Sequence, residues 1–288
     1  MKNIIKFLGL LSLICFSFFY TDKVMDVALE QDKIMISINN VKDDYREDAI
    51  EAIIDNDTII PGISGREVDI EKSYSNMKSI GLFHENYLVF KDVMPKTTLD
   101  DNMDKYIIKA NGSKQIISLI FIVDNDSDFN IIYNIAKSKN VKVNLFLDYE
   151  YLNKKINSLN KIADVSIYSY GEDGKYTKDN IIYTNNLIER ITKKKANYCL
   201  VTNKNNSNLK VCSDNKSYTI YPNLIIKDNL LSIVKNGVSK GDLILIDINK
   251  NNINQLPSAI EYISAKGLEF EYLDEILSEK NNLLEIRG

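Results

Sequence analysis

At 288 residues, with 44% hydrophobic and 26% charged residues, the sequence has a globular composition and is long enough for one full domain and a smaller one. Its net charge of −4 gives no general attraction to nucleic acid, so no nucleic-acid partner is expected. One histidine, His84, and three cysteines, Cys15, Cys199 and Cys212, cannot furnish the several His or Cys ligands of a typical zinc site, so neither a metal nor another cofactor is expected. Residues 1–21 place Lys2 and Lys6 ahead of an apolar run that ends in Phe18-Phe19-Tyr20. Residues 4–20 are just long enough to span a bilayer, which takes roughly 20 apolar residues. No small-x-small cleavage site follows, so the stretch reads as an uncleaved signal anchor with the body outside the membrane, or secreted if the signal is cleaved.

Residues 22–31 form a polar connector, and 32–114 read as a small α+β module. Lys33–Ile38 alternates like a strand, and 43–54 has helical spacing through Ala49, Ile50, Ile53 and Ile54. Pro61-Gly62 and Ser64-Gly65 are turn chemistry. Val68–Ile80 reads as a helix stopped by Gly81, and Tyr87–Phe90 as a short strand. Arg66, Glu67 and Asp69 are assigned to turns and caps, and His84 to an exposed loop.

From Ile116 the pattern becomes regular. Eight apolar or small residues, Ile116–Val123, form a buried strand that stops at Asp124-Asn125-Asp126. Further strands are expected at Val141–Leu147, Val165–Tyr170, Tyr198–Val201, Lys216–Ile226 (broken at Pro222), Asp242–Ile248 and Leu268–Leu273. Helices are expected at 129–136, Tyr149–Leu159, Asn180–Thr192 and Leu256–Ala265. Lys193-Lys194-Lys195 complement a helix C-terminus and need no ligand. Cys199 and Cys212 read as two buried free thiols, with pairing outside the cell as the alternative. Repeated β-α units predict parallel strands with right-handed crossovers, hence an α/β open sheet or barrel over 115–288.

Three stretches carry a family resemblance: SLIFIVDND, NVKVNLFLDYEYL and KGDLILIDINKNNINQLPSAIEYISAKGLEFEYLDEIL. They resemble the first, second and last units of the polysaccharide deacetylases (the NodB homology domain), over about Lys114 to Lys280. The resemblance implies a distorted (β/α) barrel and a metal-dependent N-deacetylase site. That chemistry needs an Asp and two His on a divalent metal, a second Asp as base, and a late-strand His as acid. In this sequence the Asp-Asp pair falls on Ile122-Val123, the His pair on Tyr168 and Glu172, and the late His on Asp247. The Arg-Pro-Pro-Tyr-Gly stretch has become Tyr198-Cys199-Leu200-Val201. No family catalytic residue stands in place.

The leading expectation is therefore a catalytically silent, extracytoplasmic protein of the cell envelope. It would bind an N-acetylated cell-wall polysaccharide or an envelope protein. Asp124, Asp126, Tyr168, Glu172 and Asp247 would line its mouth, and Asp247 and Glu172 are the candidate catalytic residues if any activity remains. One alternative gathers Asp124, Glu172 and Asp247 around an oxygen-loving divalent cation, or pairs two of them as acid and base. Another gives the chain a structural role in an envelope complex.

Overall fold

A computed structural model describes residues 11–20, 30–155, 166–172 and 174–280. The chain forms two compact units, one of Met1–Ala49 and Ser64–Val93, the other of Ile50–Ile63 and Met94–Gly288. This division departs from a module over 32–114, because Thr58–Ile60 and Tyr106–Ile107 pair in parallel within a sheet of the larger unit.

In the smaller unit Lys33–Ile38 is helical, not a strand. The Asp32 carboxylate accepts hydrogen bonds from Ile34 and Met35 N–H at the start of helix Lys33–Val41. Ile34 and Ile38, one turn apart, pack with Val68, Met77 and Leu88. Asp69 caps helix Ile70–Lys78, and Gly65–Val68 pairs antiparallel with Phe90–Val93. Arg66 bonds Glu47 at 2.7 Å and Glu67 bonds Lys91 at 3.0 Å, so both serve the fold. His84 is exposed, and its Nδ1 accepts from Asn86 N–H at 3.1 Å, capping the turn Glu85–Tyr87.

The helix expected over 43–54 is absent. A short turn, Lys42–Tyr45, gives way to extended chain, and Ile53–Asp55 forms a hairpin with Thr58–Ile60. The cause is Asn56, which adopts φ 51° in the tight connection, a left-handed conformation that Asn tolerates.

Residues 11–20 are helical, with exposed Leu13, Phe16 and Phe18. Among the described residues no helix is long and apolar enough to cross a membrane, and residues 1–10 of the expected span lie outside them.

The larger unit is built on six parallel strands: β1 (Ile116–Val123), β2 (Asn144–Asp148), β3 (Ser166–Tyr170), β4 (Leu224–Ile226), β5 (Leu243–Ile246) and β6 (Glu269–Phe270). Their order is β4-β5-β1-β2-β3, with β6 paired to the start of β1. Helix Asp126–Lys139 links β1 to β2, Leu230–Gly237 links β4 to β5 and Lys250–Ala265 links β5 to β6, while Lys178–Thr192 leads on from β3; Phe121, Leu145, Ile244 and Ile260 are among the buried core. Helix Tyr149–Lys155 follows β2; the rest of the helix expected to Leu159 lies outside the described residues. The Lys240-Gly241-Asp242 turn leads into β5. Gly241 sits at φ +79°, where a Cβ would strike the Ala110 carbonyl. Asp242 is buried, and its carboxylate accepts from Ser239 N–H at 2.7 Å, Asn223 Nδ2 at 2.9 Å and Lys109 Nζ at 2.8 Å. The Gly-Asp pair is thus structural.

A second sheet joins Tyr198–Leu200, Tyr218–Ile220, Tyr106–Ile107, Thr58–Ile60 and Ile53–Asp55. Its middle strands are parallel and the Ile53–Asp55 edge is antiparallel. Among the described residues the hydrogen-bonded ladders of the two sheets do not join, so a closed barrel is not traced by backbone hydrogen bonds. What stitches β3 to Tyr198–Leu200 is a side chain. The buried Tyr176 hydroxyl donates toward the carbonyls of Ser169 (3.3 Å) and Leu200 (3.2 Å) and accepts from Leu200 N–H at 2.9 Å. Tyr176→Phe leaves that N–H buried and unpaired. It should therefore cost about 1–3 kcal/mol, read from denaturant unfolding; a change under about 0.5 kcal/mol would contradict the bridge.

Cys199 and Cys212 form a disulfide, not two free thiols. Strand Tyr198–Leu200 and helix Asn206–Asp214 pack face to face, which brings the two sulfurs together. That helix is capped by Asn205, whose side-chain oxygen accepts from Ser207 N–H at 2.9 Å.

Candidate functional site

In a parallel α/β sheet the ends where strands give out collect the functional side chains. Asp124 follows β1, Asp148 ends β2, Tyr170 ends β3 and Asp247 follows β5. Side-chain parity ties this rim to the layer beneath it. Ile122, Phe146 and Tyr168 stand in register across β1, β2 and β3.

Tyr168 corrects the sequence reading most directly. It does not line a mouth: it lies at the centre of β3 and is 1% exposed. Its ring stacks on Phe146 at 5.0 Å and meets Tyr198 edge-on at 5.3 Å, and Tyr198 continues to Tyr218 at 5.7 Å. This aromatic row fills the interior between the two sheets. Among the described residues neither the Tyr168 hydroxyl nor that of Ser166, on the same face, makes a well-formed hydrogen bond, and their contact with each other is a weak one. Burial pushes the Tyr168 phenol well above its ordinary range.

The other expected residues are exposed and separate. Asp124 accepts from Asn125 Nδ2 at 2.6 Å, and Asn125 caps helix Asp126–Lys139 through Asp128 N–H. The Asp-Asn-Asp stretch is thus largely cap chemistry. Asp126 is engaged by Lys155 Nζ at 2.6 Å and by the Tyr151 hydroxyl at 3.0 Å. The Lys155 contact, then that of Tyr151, holds its carboxyl below the ordinary range. Glu172 is exposed in the turn closed by its bridge with Lys175. Asp247 is exposed; its backbone N–H donates to Ile226 O and its carbonyl accepts from Asn252.

Two rim residues were missed. Asp148 is half-buried and accepts from Glu150 N–H at 2.9 Å, capping the helix after β2. Tyr170 is half-buried, and burial raises its phenol, against a hydrogen bond with Thr202. Asp148 was legible as the polar stop of an apolar strand, as Asp124 was; nothing in the sequence marked Tyr170.

Among the described residues no three His, Cys, Asp or Glu side chains gather closely enough to hold a metal ion. Asp124, Glu172 and Asp247 therefore do not form the carboxylate site weighed above. The donor set also fails the divalent metal that the resemblance implies: Ile122 and Val123 are apolar, Tyr168 is a core ring, and the chain's one histidine caps a turn in the smaller unit. What the rim offers is three carboxylates and a phenol, on Asp124, Asp148, Asp247 and Tyr170.

No family model matches the sequence. A 105-residue stretch is 30% identical to the uncharacterised protein YlxY of Bacillus subtilis, spanning 36% of this chain and 33% of that protein. The match therefore covers about a third of that relative. Among solved structures, BA3943 of Bacillus anthracis, described as a CE4 family pseudoenzyme, superposes with TM-score 0.64 at 23% identity, over 87% of this chain and 96% of that one. A mutant of BA3943 described as having restored enzymatic activity gives TM-score 0.63 over 86% of this chain and 99% of that one, also at 23% identity. PdaA of Bacillus subtilis, a family 4 carbohydrate esterase, gives TM-score 0.51 at 16% identity, over 62% and 87%. Identities this low speak to architecture alone. The chain has the fold of the CE4 polysaccharide deacetylases, in a divergent form without that family's Asp and His ligand set.

Proposed function

We propose that this chain is a catalytically silent deacetylase-like protein that binds N-acetylated cell-wall glycan outside the cell membrane. One observation carries the reading: Tyr168, where the resemblance puts a metal-binding histidine, is a buried ring locked between Phe146 and Tyr198. A site that lacks its Lewis acid loses orders of magnitude in rate. The strand-end acceptors Asp124, Asp148, Tyr170 and Asp247 remain available for sugar hydroxyls. The Cys199–Cys212 disulfide supports an oxidising compartment, where such bonds persist. Residues 4–20 would tether the body.

Pulldown of the full chain on N-acetylated peptidoglycan and on its chemically de-N-acetylated form tests the reading. Retention on the first and loss on the second is expected. Equal partition into the unbound fraction with both would count against glycan and favour a protein partner. Asp247→Ala should abolish retention while changing stability by less than about 0.5 kcal/mol, as for an exposed side chain. A large stability loss would mark Asp247 as structural instead.

A further inference from the structure

At the opposite end of the strands the larger unit carries a cleft of 430 Å³, within the roughly 300–1,000 Å³ typical of small-molecule sites. One wall is the loop between helix Lys178–Thr192 and strand Tyr198–Leu200, with Lys194, Lys195 and Asn197. The other follows β6, with Tyr272, Asp274 and Glu275, and Tyr198 also lines it. Groups of both charges, two lysines and two carboxylates, thus line one cleft.

We propose that this cleft binds a zwitterion: the charged end of an amino acid or short peptide, its carboxylate toward Lys194 and Lys195 and its ammonium toward Asp274. The lysines do more than complement a helix terminus, since Lys194 Nζ also lies 5.0 Å over the Tyr272 ring. On the other wall the half-buried Asp274 is under-compensated. Burial raises its carboxyl above the ordinary value of 3.8, against a Tyr198 hydrogen bond and the Lys194 charge. A ligand ammonium would offset that deficit. Tyr198 packs against the buried Tyr168, whose hydroxyl lies within electrostatic reach of both Asp274 and Tyr272. A carboxyl raised by burial beside a cleft lined by both signs of charge is a pattern of binding sites. The proposal stands apart from the glycan reading, which concerns the other strand ends.

NMR titration of the isotopically labelled chain with glycylglycine, N-acetylglycylglycine and glycylglycinamide separates the two charges. Glycylglycine is expected to shift the resonances of Lys194, Asn197, Tyr198 and Asp274, with each capped form binding at least about tenfold more weakly. Lys195→Ala should weaken glycylglycine binding with unfolding unchanged. Asp274→Asn should weaken binding yet raise stability at neutral pH. A carboxyl whose folded value is raised is penalised once charged, so its contribution to stability falls as pH rises from 3.8 through the raised value, and the amide escapes that penalty. Equal binding of the capped peptides, shifts confined to residues away from the cleft, or undiminished binding by both variants would overturn the proposal.

Discussion

Tyr168→Ala should destabilise the folded chain by about 3–5 kcal/mol, while Tyr168→Phe should leave it unchanged or stabilise it by about 1 kcal/mol. The alanine deletes a fully buried ring and opens a cavity between Phe146 and Tyr198, at the point where the two sheets face each other. The phenylalanine keeps the ring and removes only a buried hydroxyl that makes no well-formed hydrogen bond and touches Ser166 weakly. Urea unfolding with unchanged slope gives both values. If the alanine cost less than about 1 kcal/mol, the ring would be no plug. If the phenylalanine cost as much as the alanine, the hydroxyl would hold a hidden bond. The same logic predicts that histidine at 168 folds poorly unless its neighbours change too, so the metal site implied by the resemblance was not lost at one position alone.

Opening the Cys199–Cys212 disulfide, by reduction or by the double change Cys199→Ser/Cys212→Ser, should cost about 3 kcal/mol. The bond closes a loop of sequence separation 13, short enough for a moderate effect and long enough for a real one. Both sulfurs are buried, at 1% and 0% exposure, so serine would also bring two hydroxyls into an apolar cluster. Unfolding curves with and without reductant test this. Superimposable curves, or three titratable thiols in the denatured, unreduced chain where only that of Cys15 is expected, would contradict both the bond and the support it gives to an extracytoplasmic location.

Much of the larger unit was legible because its strands are unbroken apolar runs. Ile116–Val123 and Leu243–Ile246 have no competing reading, and their polar stops, Asp124 and Asp247, are strand ends as expected. The smaller unit was not. Six alternating residues, Lys33–Ile38, fit a strand as well as a helix, and only the Asp32 cap and the Ile34–Ile38 spacing decide. Ile53 and Ile54 fit a helix face until the left-handed Asn56 turns the chain into a hairpin. The cysteine pairing stayed the second of two readings because it depends on a helix, Asn206–Asp214, hidden in a polar stretch. Tyr176 and Tyr168 fail in a common way: their roles are set by partners on other strands, which spacing along one segment cannot show. Tyr168 was placed at a rim because its counterpart in the family is a ligand, whereas β3 runs two residues beyond it.

The central claim is that the fold persists without its chemistry. The direct measurement is acetate release from N-acetylchitooligosaccharides by the full chain, supplied in turn with Zn²⁺, Co²⁺ and Mn²⁺, with bound metal counted by elemental analysis. The account predicts no release above the protein-free blank and no stoichiometric metal. Metal-dependent release that falls away in Asp247→Ala or Glu172→Ala, with about one ion per chain, would contradict it and put a remodelled enzyme in its place.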